Sequence, residues 1–305
     1  MTDLFEQYGQ RIANSLQRQV RDFLPVGIGR WKFVLPVDGR WLGCVSSDNE
    51  WLVLRTRPEA PLAARVRTTE SLLQMLRANA WLPGGVKFAV ESHLRQFVLV
   101  GEIPLDEEEV DLDQRIQEVM EGFRQAALGW PELQLSPPTM ASAKAMPSED
   151  SSWGAAMSLC QQSGLTASVR GDGRLFVKLD VPGEFCQAML SCSETQSARL
   201  TVELSNVELN TAARHATEAV LLEGCRIVRM ARATARKTNE GLSYGWETVL
   251  PETASVRALQ LSIATLSLAC RLTVREARAL QDEGVAAEYL YVRGWPVSRS
   301  TVCSI

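Results

Sequence analysis

Two histidines among 305 residues leave little room for imidazole chemistry. Neither His93 nor His215 has a second His, Cys or carboxylate at a ligand-like spacing, so a His-based zinc site is not expected. The seven cysteines (44, 160, 186, 192, 225, 270 and 303) include no CxxC pair. The N-terminal "MTDLFEQYGQRIANSLQRQV" has no apolar stretch of the export-signal kind. The cysteines are therefore expected as reduced thiols of a cytoplasmic protein. Cys160, Cys225 and Cys270 lie among apolar residues and read as core; Cys303, in "RSTVCSI", is the one that looks free to react. The longest near-apolar run, "LQLSIATLSLAC" (259–270), is too short to span a bilayer. Glycine motifs are missing too. "GIGR" and "GDGR" continue into neither GxGxxG nor a phosphate loop, "PGG" (83–85) starts a strand, and no GxSxG elbow nominates a serine. The sequence names no catalytic, cofactor-binding or metal-ligating residue and implies no cofactor and no enzyme.

What is present is an ordinary globular composition: 46% hydrophobic and 22% charged residues. The net charge of −4 and pI near 5.5 argue against nucleic acid as the main partner, because phosphate binding needs a concentrated basic face. The basic run "RMARATARK" (229–237) reads as a strand leaving the core into an exposed loop. One segment breaks the pattern of ordered elements. "LSPPTMASAKAMPSEDSS" is rich in Pro, Ser and Ala, has no periodicity and falls near the midpoint, which marks 135–150 as a linker. It separates a domain at 1–134 from one at 151–284, followed by a tail at 285–305.

Both halves read in the same order. In the first, Leu4, Phe5, Tyr8, Ile12, Leu16, Val20 and Phe23 recur at helical spacing. Strands "RWKFVLPV", "RWLGCVSS" and "WLVLRTR" follow, the first two joined by Asp38-Gly39, a dipeptide suited to a tight hairpin. The helix "TTESLLQMLRANAW" has Thr68 or Thr69 as cap and Leu72, Leu73, Leu76 and Ala80 as its apolar side. Strands "GVKFAVES" and "RQFVLVGEI" lead to an acidic run, Asp106 to Asp113, and a helix whose stripe is Leu112, Ile116, Val119, Met120, Phe123 and Ala127. Those carboxylates precede the helix and enter its first turn, where free N–H groups and the macrodipole favour negative charge. They lack the glycine and spaced ligands of a calcium loop.

The second half repeats a short helix (151–164), three strands, the helix "NTAARHATEAVLLEG" stopped by Gly224, and the strands "CRIVRMARAT" and "LSYGWETVL". A final helix, or two joined near Arg271-Leu272, closes it. The fold class is therefore α+β, as two tandem α-β-β-β-α-β-β-α domains, a duplication carried by element order rather than residue identity. Trp31, Trp41 and Trp51 fall on the first three strands. They read as core or domain-interface packing, or as an exposed aromatic groove for an extended peptide.

The element order, the acidic pI and "FVLVGEIPLDEEEVDLDQRIQEVMEGFRQAALGW" resemble the class I type III secretion chaperones of the Tir-chaperone family. Leu99, Ile103, Pro104 and Leu105 fill that family's strand-to-helix pattern. The resemblance covers residues 1–131, and 151–284 by element order, with Leu250-Pro251 a partial echo. It implies a cytoplasmic, non-enzymatic protein that binds an extended segment of a partner such as a secreted effector. It also implies a monomer packed as an intramolecular pseudo-dimer, with helices 68–80 and 210–222 facing each other through Leu72, Leu73, Leu76, Val220, Leu221 and Leu222. On this reading a peptide groove follows the first helix and the strand beside it, lined by Leu4, Tyr8, Ile12, Leu16, Trp31 and Phe33. The alternative is a regulatory or structural scaffold that uses the same fold to bind a folded partner, and an enzyme of unrecognised mechanism is the third reading.

Overall fold

The computed structural model describes residues 4–37, 41–47, 50–59, 69–91, 96–105, 112–129, 151–170, 174–192, 198–205, 211–238, 241–250 and 255–295. The Asp38-Gly39 turn, His93, the acidic residues 106–111, Trp130, the linker and Cys303 lie outside them. The chain divides into two compact units. The first takes the described residues up to Gly129 together with those from Ala287 onward, and the second takes those from Ser151 to Ala286.

In the first unit, α1 (Leu4–Gln17) precedes four strands: β1 (Arg21–Gly27), β2 (Arg30–Leu35), β3 (Trp41–Ser47) and β4 (Trp51–Pro58). Then come α2 (Thr69–Asn79), β5 (Lys87–Glu91), β6 (Gln96–Pro104) and α3 (Leu112–Leu128). The antiparallel sheet runs β1-β2-β3-β4-β6-β5. Successive strand residues point to opposite faces, so Trp31, Phe33, Leu35, Trp41, Val45, Leu52, Leu54, Phe88, Leu99 and Ile103 form one buried layer. The expected α3 stripe is buried throughout. Close approach of α3 depends on Gly84: its φ is +63°, and a Cβ there would lie 2.6 Å from the Glu118 backbone.

The second unit has the same plan. Its elements are α4 (Ser151–Gln162), β7 (Ala167–Val169), β8 (Leu175–Leu179), β9 (Cys186–Cys192), β10 (Ala198–Ser205), α5 (Thr211–Ile227), β11 (Arg232–Thr238), β12 (Gly241–Leu250) and α6 (Val256–Ala279). The sheet order β7-β8-β9-β10-β12-β11 reproduces that of the first unit strand for strand. A last helix, α7 (Glu283–Val292), runs across the division between the units.

The structure thus has two α+β units, each with one strand more than the sequence pattern suggests. β1 was hidden because Val20 and Phe23 continue the helical stripe of α1, whereas the helix stops at Gln17. Phe23 instead stacks on Trp31 at 6.2 Å, and "GIGR" makes the turn, with Gly29 at φ +62°. β7 has only three residues, too few to show alternation. Gly224 does not stop α5, which continues to Ile227; a Cβ there would meet the Trp246 ring at 3.0 Å, so the glycine serves packing. α6 runs unbroken through Arg271-Leu272. "EYLYV" in the expected tail is helical, with Ala286 and Leu290 buried one turn apart.

Candidate functional site

One row of side chains crosses the first sheet from edge to edge on the face opposite its buried layer. Register places Leu24, Lys32, Cys44, Arg55, Val100 and Lys87 side by side on β1, β2, β3, β4, β6 and β5. The neighbouring row runs Arg21, Val34, Leu42 and Arg57. The row on the other side opens with Gly27, Arg30, Ser46 and Val53. Arg21, Arg30, Lys32, Arg55 and Arg57 are all exposed. Within an acidic protein this is a local cationic face. Arg57 is oriented by donating to Gln96 Oε1 at 3.0 Å.

Beside this face lies β1, an edge strand exposed at six of its seven residues. Leu24 is 59% exposed, Val26 51% and Ile28, in the turn, 88%. Pro25, two register shifts and the positive φ of Asp22 interrupt the strand. Such interruptions keep an edge from pairing with any chain that meets it. A partner must therefore bring side-chain contacts as well as backbone ones. Cys44, in the middle of the row, is exposed, yet crowding by its neighbours pushes the thiol up, with Arg55 and Arg57 only opposing the shift. It is not an activated nucleophile.

The six residues expected to line a groove have a different setting. Ile12 and Leu16 are fully buried, and Trp31 and Phe33 are 6% and 2% exposed, all in the core layer. The side chains of Leu4 and Tyr8 lie outside the described residues. Four of the six therefore form core rather than an open groove, because the alternation that aligns Trp31 with Phe33 and Leu35 points all three at the helices. Trp41 and Trp51 are buried as well. The outward partners of those residues, Lys32 among them, make up the exposed surface. Period-two alternation in "RWKFVL" and "WLVLRTR" carries that signal.

Of the residues expected between the domains, Leu72, Leu76, Val220, Leu221 and Leu222 are buried and Leu73 is half-buried. From Ala212 to Cys225, α5 is buried except at Arg214 and Glu223, which are half-buried. A helix buried all round needs cover on every side.

Each unit also buries charge. Lys87, fully buried, meets Glu102 Oε2 at 2.8 Å. In the second unit Arg232 opens β11 as Lys87 opens β5, and meets Glu247 Oε1 at 2.7 Å. Both pairs are separated by 15 residues. Glu247 also takes an ion pair from Arg236, with Arg199 at 3.8 Å. The basic run 229–237 thus serves an internal carboxylate, in a strand that starts buried at Arg232 and reaches solvent at Lys237. On the helix side of that sheet, Tyr244 donates to Glu218 Oε1 at 2.8 Å, and Arg214 lies 3.8 Å from the same oxygen. His215 is buried beside Arg214, and burial, then that charge, lower its pKa to about 4. The imidazole is therefore neutral at pH 7, and its Nε2 lies 3.0 Å from Arg214 Nη2. Glu218, Tyr244, Arg214 and His215 are engaged with one another, and no nucleophile–base pair is among them. Among the described residues no cluster of three or more His, Cys, Asp or Glu could hold a metal, and no helix is long and apolar enough to cross a membrane.

No protein-family model matches the chain, and no curated protein does. Among solved structures, the crystal structure of the di-domain ARO/CYC StfQ from the steffimycin biosynthetic pathway aligns over 96% of this chain and 95% of that one, at 10% identity. Its TM-score of 0.15 carries no argument about fold or function.

Proposed function

We propose that this chain is a non-enzymatic protein-binding module of the secretion-chaperone kind, acting in the cytoplasm as an intramolecular pseudo-dimer that holds an extended segment of a partner. The observation that carries this reading is the juxtaposition of an exposed apolar edge strand, β1, with a cationic sheet face. An extended segment added at a sheet edge gains backbone hydrogen bonds, and its alternate side chains find specificity on the neighbouring face. Here the face favours acidic residues, spaced two apart, in the bound segment. The equivalent edge strand of the second unit, β7, has three residues against seven. The first unit is therefore the binding half and the second its pairing partner. Pairing is supported by the like topology of the two sheets.

The test is capture of partners from native lysate by the tagged chain, followed by limited proteolysis of each captured protein. The reading expects a contiguous segment of the partner to be protected only in the complex, and to be lost with Leu24→Glu/Val26→Glu and with Lys32→Glu/Arg55→Glu. Capture of folded partners alone, unaffected by these substitutions, would leave the scaffold reading in its place.

A further inference from the structure

The helices that end the two repeats differ on their outward sides. α3 follows β6 and α6 follows β12, in two sheets of one strand order. Position for position, the buried Leu112, Ile116, Val119 and Phe123 of α3 match the buried Leu259, Ile263, Leu266 and Cys270 of α6. The same alignment sets the exposed Gln114, Gln117, Glu121 and Gln125 against Leu261, Ala264, Leu268 and Leu272. On α3 that row is polar and served by its own helix: Gln114 donates to Glu118 at 3.0 Å and Gln125 to Glu121 at 3.1 Å. On α6 the row is apolar. Leu268 is 45% exposed and Leu272 41%, Ala264 is exposed and Leu261 half-buried. Steps of three and four residues keep all four on one side of the helix. Exposed apolar residues standing singly are ordinary; a contiguous row is the mark of a docking surface.

Charge at the ends of the row selects the occupant. Arg257 and Arg275 are exposed. Five helical turns separate them, so they stand in line at the two ends of the row, about 27 Å apart along the axis. Arg275 donates to the Pro182 carbonyl at 3.4 Å, a contact that leaves its charge in place. Arg271 and Arg278 beside it are paired with Asp180 and Glu184, and Glu276 is turned about 100° from the line. A second copy laid antiparallel would set Arg257 against Arg275, and laid parallel would set each arginine against itself. Self-pairing therefore meets like charge at both ends. A membrane surface is met by protruding aromatic or leucine side chains; this row has no aromatic residue, and Leu268 and Leu272 are more than half sunk among their neighbours. We propose that this face of α6 docks an amphipathic helix of a partner protein, whose apolar row covers Leu261, Ala264, Leu268 and Leu272 and whose carboxylates meet Arg257 and Arg275. Ala264 leaves the hollow that receives one large side chain of that helix. The site takes a helix rather than an extended segment, and it does not depend on the reading of β1.

The experiment uses the full chain and three end-blocked, fluorescently labelled peptides built on one alanine-rich helix. The first carries leucines in a row of the α6 spacing with glutamates in line at each end. The second has lysines in place of the glutamates, and the third has the leucines scattered. Fluorescence anisotropy should show the glutamate peptide binding at least about tenfold tighter than either of the others, with the preference over the lysine peptide shrinking at high salt. Leu268→Glu should weaken that binding by about tenfold or more, and Arg257→Glu/Arg275→Glu should turn the preference toward the lysine peptide. Equal binding of the glutamate and lysine peptides, or no binding, would overturn the proposal, and that comparison needs the parent protein alone. Loss of binding with Lys32→Glu/Arg55→Glu but not with Leu268→Glu would overturn it by placing the peptide on the first sheet. A dimer in sedimentation, or flotation with phosphatidylserine vesicles, that Leu268→Glu abolishes would overturn it by giving the face to a second copy or to lipid.

Discussion

Removing the ammonium of Lys87 is the sharpest perturbation of the first unit. At 2.8 Å from Glu102, and at an effective dielectric near 20, the attraction is about 6 kcal/mol. Desolvation of the two ions costs several kcal/mol each, so the intact pair is close to neutral in net effect. Lys87→Met takes away the cation and leaves a carboxylate that is 5% exposed; the expected loss is about 3–5 kcal/mol. Lys87→Met with Glu102→Leu removes both charges and should lie between neutral and about 4 kcal/mol more stable. Urea unfolding at constant slope measures both, and only the transition of the first unit should move. A single variant within about 1 kcal/mol of the parent, or a double variant that falls as far as the single one, would refute the reasoning.

Lowered pKa at His215 makes stability pH-dependent with a definite sign. Its folded value, about 4, lies below the ordinary 6.5, so its contribution is complete above pH 6.5 and is lost as pH falls through 6.5 toward 4. The total is about 3 kcal/mol, and the difference between parent and His215→Asn across that window, by urea unfolding, should follow it. Tyr244→Phe removes the hydroxyl that donates to Glu218 and should cost about 1–3 kcal/mol, read by thermal unfolding. Gly245→Ala would place a Cβ 2.3 Å from the Val202 carbonyl oxygen, a rigid neighbour, whereas Gly101→Ala would meet the Val119 side chain, which can turn. The first should therefore lose more stability than the second, with overpacking near the upper end of about 1–3 kcal/mol.

Helical periodicity made α3 legible, because every residue of its expected stripe is buried, with Gly122 and Ala126 completing the buried face. Strand alternation likewise showed which side of β2 and β4 carries Trp31 and Arg55, though not which side the helices would cover. That choice turns the aromatic side into core and the Lys and Arg side into surface. β1 escaped because an exposed edge strand has little need of alternation, and its Phe23 fitted the helix before it. The buried pairs were invisible for another reason: Lys87 and Glu102, like Arg232 and Glu247, are joined by register and packing, not by any motif along the chain. The final helix boundary depended on the turn at Leu280–Asp282, where the last carbonyl contacts of α6 give way to a new first turn led by Glu283.

The division of the chain has a consequence for synthesis. The first unit draws on two separated stretches of the polypeptide, since residues from Ala287 onward, with the buried Leu290 and Trp295, belong to it. The second unit is wholly translated before that segment emerges. At ordinary elongation rates the first unit waits roughly ten to thirty seconds for its last piece. During that interval the nascent chain carries one unfinished unit and one complete one, so a ribosome stall or a premature stop before Ala287 would damage the half made first.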